Sequence, residues 1–388
     1  FLGALVGGII GDKTGRRNAF ILYEAIHIAS MVVGAFSPNM DFLIACRFVM
    51  GVGLGALLVT LFAGFTEYMP GRNRGTWSSR VSFIGNWSYP LCSLIAMGLT
   101  PLISAEWNWR VQLLIPAILS LIATALAWRY FPESPRWLES RGRYQEAEKV
   151  MRSIEEGVIR QTGKPLPPVV IADDGKAPQA VPYSALLTGV LLKRVILGSC
   201  VLIAMNVVQY TLINWLPTIF MTQGINLKDS IVLNTMSMFG APFGIFIAML
   251  VMDKIPRKTM GVGLLILIAV LGYIYSLQTS MLLITLIGFF LITFVYMYVC
   301  YASAVYVPEI WPTEAKLRGS GLANAVGRIS GIAAPYAVAV LLSSYGVTGV
   351  FILLGAVSII VAIAIATIGI ETKGVSVEFL VLGAVANK

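Results

Sequence analysis

Asp12-Lys13-Thr14-Gly15-Arg16-Arg17 separates two apolar stretches, and it returns 241 positions later as Asp253-Lys254-Ile255-Pro256-Arg257-Lys258, again between two apolar stretches. A second charged marker behaves in the same way. Glu67-x-x-Pro70, followed by Arg74-Gly75, recurs as Glu309-x-x-Pro312, followed by Arg318-Gly319, with the glutamates 242 positions apart. Two markers repeating at nearly one offset describe a duplicated unit. Duplication of a helical membrane bundle is a common plan of secondary transporters, which hold substrate between the halves.

What lies between the markers fits that plan. Of 388 residues, 57% are hydrophobic and 12% charged, about half the charge of a soluble domain, which excludes an ordinary globular enzyme. Apolar segments fall at 1–10, 18–36, 41–66, 80–103, 110–131, 195–221, 230–251, 259–276, 281–306, 318–342 and 347–370. A crossing needs ~20 apolar residues, so the first segment is too short and reads as the end of a truncated span. The others are expected to be helices, because backbone groups facing lipid must be paired within the segment and no stretch alternates as a barrel strand does.

The connectors set the orientation. Those at 11–17, 67–79, 132–194, 252–258 and 307–317, with the C-terminal tail, hold 21 Lys and Arg, while the opposite set holds one, Lys228. Without the long 132–194 segment the contrast is still 11 to one. The basic set is therefore cytoplasmic and the chain a multi-pass protein of the cell membrane, whether plasma membrane or bacterial inner membrane. The net charge of +9 is thereby an orientation signal; the dispersed cations form no basic face for nucleic acid. Cys46, Cys92, Cys200 and Cys300 each lie in an apolar run without paired or metal-ligand spacing, so no disulfide, metal or cofactor is expected.

Four parts follow: an incomplete N-terminal bundle (1–131), a cytoplasmic segment (132–194), a C-terminal bundle (195–370) and a tail (371–388). In the cytoplasmic segment, residues 139–156 place Tyr144, Ala147, Val150, Met151 and Ile154 at helical spacing among charges, an amphipathic helix for the membrane surface or neighbouring loops. Pro165, Pro167, Pro168, Asp173, Asp174 and Gly175 mark a linker.

Five motifs carry a family resemblance. Gly11-Asp12-Lys13-Thr14-Gly15-Arg16-Arg17 resembles the loop between the second and third helices of the major facilitator superfamily, and Arg47-Phe48-Val49-Met50-Gly51-Val52-Gly53-Leu54-Gly55 its fourth helix. Pro132-Glu133-Ser134-Pro135-Arg136-Trp137-Leu138 is similar to the motif after the sixth helix of sugar porters and organic-ion transporters. Pro308-Glu309-Ile310-Trp311-Pro312-Thr313-Glu314 and Glu371-Thr372-Lys373-Gly374 resemble the marks after the tenth and twelfth. The resemblance implies an all-α polytopic membrane protein with two bundles of six helices, here lacking the first helix and part of the second. Tyr210-Thr211-Leu212-Ile213-Asn214-Trp215-Leu216-Pro217 resembles the seventh helix of bacterial metabolite:proton symporters, and 80–103 lacks the Gly-Pro run of antiporters.

The repeated charges, Asp12, Arg16, Arg17, Glu67 and Arg74 in the front half and Asp253, Arg257, Lys258, Glu309 and Arg318 in the back half, read as a latch. Such pairs hold the cytoplasmic ends of two bundles together and break as the carrier opens. The alternative is that they anchor loops and set topology.

Arg328 lies ten residues into its span, ~15 Å deep. A cation at that depth needs a cavity or a partner, and the resemblance aligns Gly327-Arg328-Ile329-Ser330-Gly331 with the place where organic-anion carriers have a basic residue. No Asp or Glu lies in a back-half span, which disfavours an organic cation as cargo. Asn206, Gln209, Tyr210 and Asn214 share one side of their helix, and with Tyr298, Tyr301, Asn86, Trp87 and Tyr89 they are candidate walls of a site for a planar ligand. Each aromatic alone is more often packing than ligand-binding. Arg47, ~9 Å deep, is a candidate for anion binding or proton coupling, or for helix packing. Glu24 and His27, one turn apart, form a candidate proton site, the alternative being interhelical hydrogen bonding.

These readings converge on a carrier of a small organic anion, an aromatic or other carboxylate, working as a monomer in the bilayer; the resemblance implies proton symport as its driving force. The rivals are a sugar-porter-like carrier of neutral polyols, an organic-cation carrier and a transporter-fold sensor. One histidine and four scattered cysteines offer no catalytic constellation, so an enzyme is not expected.

Overall fold

A computed structural model describes residues 2–68, 74–163, 165–166, 183–311 and 315–372; within these, the side chains of 4–6, 8–9, 12, 59, 62–68, 74–79, 183 and 316–317 lie outside the description. The side chains of Asp12, Glu67 and Arg74 therefore fall outside the described set, as do most of the linker and the tail from 373.

The described chain is helical: α1 (Leu2–Thr14), α2 (Arg16–Ala35), α3 (Met40–Tyr68), α4 (Arg74–Asn86), α5 (Ser88–Leu99), α6 (Ala105–Tyr130), α7 (Pro135–Ser140) and α8 (Tyr144–Thr162). There follow α9 (Tyr183–Leu186), α10 (Gly189–Thr222), α11 (Leu227–Met238), α12 (Gly240–Val251), α13 (Arg257–Ser276) and α14 (Met281–Cys300). A π-helical turn (Tyr301–Tyr306), α15 (Val307–Glu309) and α16 (Lys316–Ile368) complete it. Among the described residues eight helical runs are long and apolar enough to cross a membrane. One of them, α16, is broken at Gly346, whose φ of 64° and ψ of −160° leave the helical region, so it holds two crossings.

The chain divides into two compact units: Phe1–Ser78 with Leu99–Asp174, and Ser79–Gly98 with Gly175–Lys388. Residues 80–103, expected as one span of the front bundle, are instead split into α4 and α5 at Trp87, and Ser79–Gly98 packs with the second unit.

In the first unit, small residues let backbones meet. Gly3, Gly7 and Gly11 repeat every fourth residue along α1 and face Val52, Ala56 and Thr60 of α3; a Cβ on Gly3 or Gly7 would run into the α3 backbone. Between helices in lipid the hydrophobic drive is absent, so such close packing does the holding. The Tyr23 hydroxyl adds a 3.0 Å bond to the Gly7 carbonyl. At the far end of α2, Arg110 Nη1 donates to the Ala35 and Ser37 carbonyls at 2.7 and 3.2 Å, while the guanidinium lies 4.5 Å from the Trp109 ring centre.

The cytoplasmic segment differs from expectation in its boundaries. Ser134 accepts from Trp137 N at 3.3 Å and Pro135 opens α7, which then ends in a left-handed Gly142 (φ 73°). Arg143 N bonds Leu138 O and Gly142 N bonds Glu139 O, both at 2.9 Å, the paired closure that stops a helix at such a glycine. The amphipathic helix therefore starts at Tyr144 and runs to Thr162, not over 139–156.

In the second unit, α10 packs along α16. Gly327 faces Leu202 and Asn206, and Gly331 lies against the Tyr210 ring. Gly240 and Gly244 of α12 similarly meet the α14 backbone at Phe289 and Thr293. In the same unit Tyr296, Tyr298, Tyr301, Tyr306 and Trp311 are fully buried.

Candidate functional site

In the second unit the charged marker forms a closed network. The Arg257 guanidinium, on a residue 6% exposed, donates through Nε to Glu309 Oε2 at 3.1 Å and through Nη2 to Glu309 Oε1 at 3.2 Å. Nη2 also reaches Asp253 Oδ1 at 3.1 Å and Nη1 the Met252 carbonyl. Glu309 Oε2 accepts a further 2.6 Å bond from Thr372 Oγ1. Glu371 then closes the start of α13: its two carboxylate oxygens accept from Arg257 N at 2.8 Å and Lys258 N at 3.1 Å. The first N–H groups of a helix lack intrahelical acceptors and carry its positive dipole end, so a carboxylate is stabilised there.

The first unit has the same device. Glu133 Oε1 accepts from Arg16 N at 2.6 Å, Arg17 N at 3.2 Å and Ser134 N at 3.0 Å. Gly15 precedes α2 with φ 97°, and a Cβ there would strike the Glu133 carboxylate. Arg17 Nη2 bonds the Trp128 carbonyl. In the sequence Glu133 and Glu371 stand out only as members of motifs; their capping role is hidden because each acts more than 110 positions from its partner. Of the expected latch, Arg257, Asp253 and Glu309 come together, Lys258 joins through its backbone, and Arg318 is half-buried and engaged. The partners of the Arg257 side chain among the described residues, Met252, Asp253 and Glu309, all lie within its own unit.

The candidate binding residues separate into three groups. Asn206 is buried, and its Nδ2 donates to the Leu202 carbonyl at 2.7 Å, a bond within α10 that leaves it part of the α16 seam. Asn86 likewise donates to Ser82 O at 2.7 Å within α4. Tyr298 and Tyr301 are corrected: they are 1% and 0% exposed, Tyr298 donates to Val201 O at 3.1 Å, and Tyr301 stacks on Tyr306 at 5.0 Å. Spacing along α14 could not say which face turns inward, and this face is core.

Arg328, Asn214 and Tyr210 are exposed and Gln209 is half-buried. Among the described residues Arg328 makes no hydrogen bond or ion pair. It stands one turn from Gly331, which packs on Tyr210, so cation and phenol border one side of the α10–α16 pair.

Tyr89 packs edge-on to Tyr296 with ring centres 5.2 Å apart. Nearby, Phe83, Trp87, Phe239, Phe243, Phe246 and Phe289 line an aromatic cavity of about 390 Å³. Trp87 and Phe239 stand at the breaks between α4 and α5 and between α11 and α12. Their rings meet at 6.3 Å. The four phenylalanines from 239 onward were not singled out from sequence, because within a uniformly apolar span nothing marks the face.

In the first unit Arg47 is exposed on α3. His27 Nδ1 and Glu24 Oε2 lie 3.6 Å apart, both buried and both lacking another hydrogen-bond partner among the described residues.

Repeated helical halves with capped charged loops and buried polar seams define a membrane carrier. The Major Facilitator Superfamily description matches residues 1–335, and the chain belongs to that family. It is a multi-pass protein of the cell membrane that transports small molecules and is not an enzyme. The chain is 99% identical over its full length, and over 84% of the relative's, to YdjK of Escherichia coli (strain K12), named as a candidate metabolite transport protein. It is 45% identical to the inner membrane metabolite transport protein YdjE of the same strain, over 97% of this chain and 83% of that one. An inward-open structure of the xylose transporter XylE from E. coli superposes with a TM-score of 0.75 at 17% identity, covering 98% of this chain and 85% of that one. That likeness speaks for the fold.

Proposed function

We propose that this carrier moves a small organic anion, an aromatic or other carboxylate, by proton symport and alternating access, as a monomer. The observation that carries the reading is Arg328, an exposed cation within a span with no protein partner among the described residues. A guanidinium at that depth is stabilised by water in a cavity or by an anion, and its planar fork matches a carboxylate. The exposed Tyr210 ring, against which Gly331 packs three residues after Arg328, and the separate aromatic cavity at Trp87 suit a flat, apolar ligand body. Proton coupling is supported by His27 Nδ1 and Glu24 Oε2, two buried polar atoms that face each other at 3.6 Å with no hydrogen-bond partner among the described residues.

Uptake of labelled benzoate-type acids and of hexoses into proteoliposomes, with and without an inward proton gradient, tests both parts. Losing a charge-assisted bond of ~1.5–3 kcal/mol lowers acid uptake about 10- to 150-fold in Arg328→Ala, with partial recovery in Arg328→Lys. His27→Gln flattens the pH profile of acid uptake. Hexose uptake with an indifferent Arg328→Ala would instead favour the neutral-polyol carrier, in which Gln209 and Asn214 contact hydroxyl groups.

A further inference from the structure

At the cytoplasmic end of the first unit, two cavities meet at Arg17 and Asn18. One, of about 510 Å³, lies where α6 ends and α7 and α8 begin. Four cations (Arg17, Arg129, Arg143, Lys149) and two carboxylates (Glu133, Glu146) line it, a net charge of +2. Both carboxylates are already engaged. Glu133 holds three backbone N–H groups. Glu146 accepts from Arg143 Nε and Nη2 at 2.7 and 2.6 Å, and this contact pulls its carboxyl below the usual range. The surplus positive charge therefore rests on Arg129, Lys149 and Arg17, whose Nε is buried without a hydrogen-bond partner among the described residues.

The second cavity, of about 420 Å³, leads away between α2 and α6 and is walled by Ile21, Leu22, Ala25 and Trp128. Trp128 and Tyr130, 63% and 70% exposed, end α6 as the amphipathic rings that gather at headgroup depth do. The amphipathic α8 begins just beyond. A cationic bowl opening into an apolar slot at this depth matches one kind of molecule, with an anionic head and a hydrocarbon tail.

We propose that the first unit binds one anionic phospholipid here, its phosphate among Arg17, Arg129 and Lys149 and an acyl chain in the Ile21–Ala25–Trp128 slot. A free phosphate or a soluble phosphate ester would satisfy the bowl but has no use for the slot. The lipid would tie the start of α2 to α6 and α8, the same elements that Glu133 joins.

The test uses the full chain in phosphatidylethanolamine nanodiscs with phosphatidylglycerol added, reading retained lipid by native mass spectrometry and melting temperature against added lipid. Inorganic phosphate and glycerol phosphate form the soluble arms. Near an anionic surface each cation is worth about a fivefold change in binding, so Arg129→Gln with Lys149→Gln weakens phosphatidylglycerol retention ~30-fold. Ala25→Trp, and the milder Leu22→Phe, weaken retention by filling the slot while the charge is untouched. The variants are first required to melt as wild type does in phosphatidylethanolamine alone; if the double variant fails it is replaced by Lys149→Gln, and if Ala25→Trp fails the slot is tested by Leu22→Phe. Equal retention of the two lipids overturns the proposal. So does stabilisation by inorganic phosphate equal to that by phosphatidylglycerol with the slot variants indifferent, which would assign the bowl to a soluble anion.

Discussion

Glu309→Gln keeps the shape of the side chain and removes the charge that faces Arg257. In the wild type Glu309 accepts two charge-assisted bonds from the guanidinium and a third from Thr372. Breaking a buried ion pair costs ~3–5 kcal/mol, because the remaining charge stays desolvated. That figure is an upper bound here. The Arg257 side chain is 7% exposed, but that of Glu309 is 34% exposed, so water screens one side of the pair, and glutamine still offers one acceptor. About 2 kcal/mol remains after that discount. Asp253, with a side chain 89% exposed, is a surface partner worth ~0–1 kcal/mol. For a unit of this size 2 kcal/mol corresponds to a melting shift of about 4–8 °C. The assay is the thermal melt of purified protein in mild detergent, read by the loss of the monodisperse chromatographic peak, for wild type, Glu309→Gln and Asp253→Asn. Asp253→Asn is expected to move the midpoint by less than half as much. Equal shifts, or a larger one for Asp253→Asn, would refute the assignment of Glu309 as the principal partner.

A leucine at Gly327 would place its Cβ 2.8 Å from Leu202 Cβ and 3.0 Å from Asn206 Nδ2. Such overpacking costs ~1–3 kcal/mol, so Gly327→Leu melts several degrees lower, whereas Gly321→Leu, with nothing within 4 Å of its Cβ position, does not. Glu371→Ala and Glu133→Ala each remove a helix cap worth ~0.5–2 kcal/mol. Amide hydrogen exchange at Arg257 and Lys258 in the first variant, and at Arg16 and Arg17 in the second, accelerates about 2- to 30-fold, with each effect confined to its own unit.

The spans were legible because a run of some twenty apolar residues has few alternatives in lipid. Between 18 and 36 and between 347 and 370, for example, the sequence segments and the helices α2 and α16 agree closely. Facing was not legible. In a soluble helix polar residues mark the outer side, but a lipid-facing side is as apolar as the core, so Tyr298 and Tyr301 could not be told from cavity walls. The same lack of contrast hid Phe243 and Phe246, which are 45% exposed and line the aromatic cavity. Polar residues gave half an answer: Asn206 and Arg328 both stood out by type, and the structure places one in a helix seam and the other in the open. Asn206 bonds back to its own helix four residues earlier, whereas Arg328 is exposed and makes no such bond among the described residues.

The duplication announced by the charged markers is completed by a contact that the markers do not contain. In each half a helix starts within the marker, at Arg16 and at Arg257, and its first N–H groups require an acceptor. A glutamate just after the last span of the same half supplies it, Glu133 in one and Glu371 in the other. The two glutamates are 238 positions apart while the arginines they cap are 241 apart, and their neighbours, Pro132 and Ser134 against Ile370 and Thr372, differ. Spacing alone therefore blurs what the geometry repeats. Because capping uses backbone donors, the arginine side chains at the two helix starts make different contacts: Arg17 reaches the Trp128 carbonyl, while Arg257 gathers Glu309 and Asp253. With Glu133, Glu371 and Glu309 each already accepting at least two bonds, the described acid of this set with most acceptor capacity open to solvent is Asp253. Any rearrangement of the charged loops during transport would thus exchange the partners of Asp253 at the lowest cost, and those of the capping glutamates at the highest.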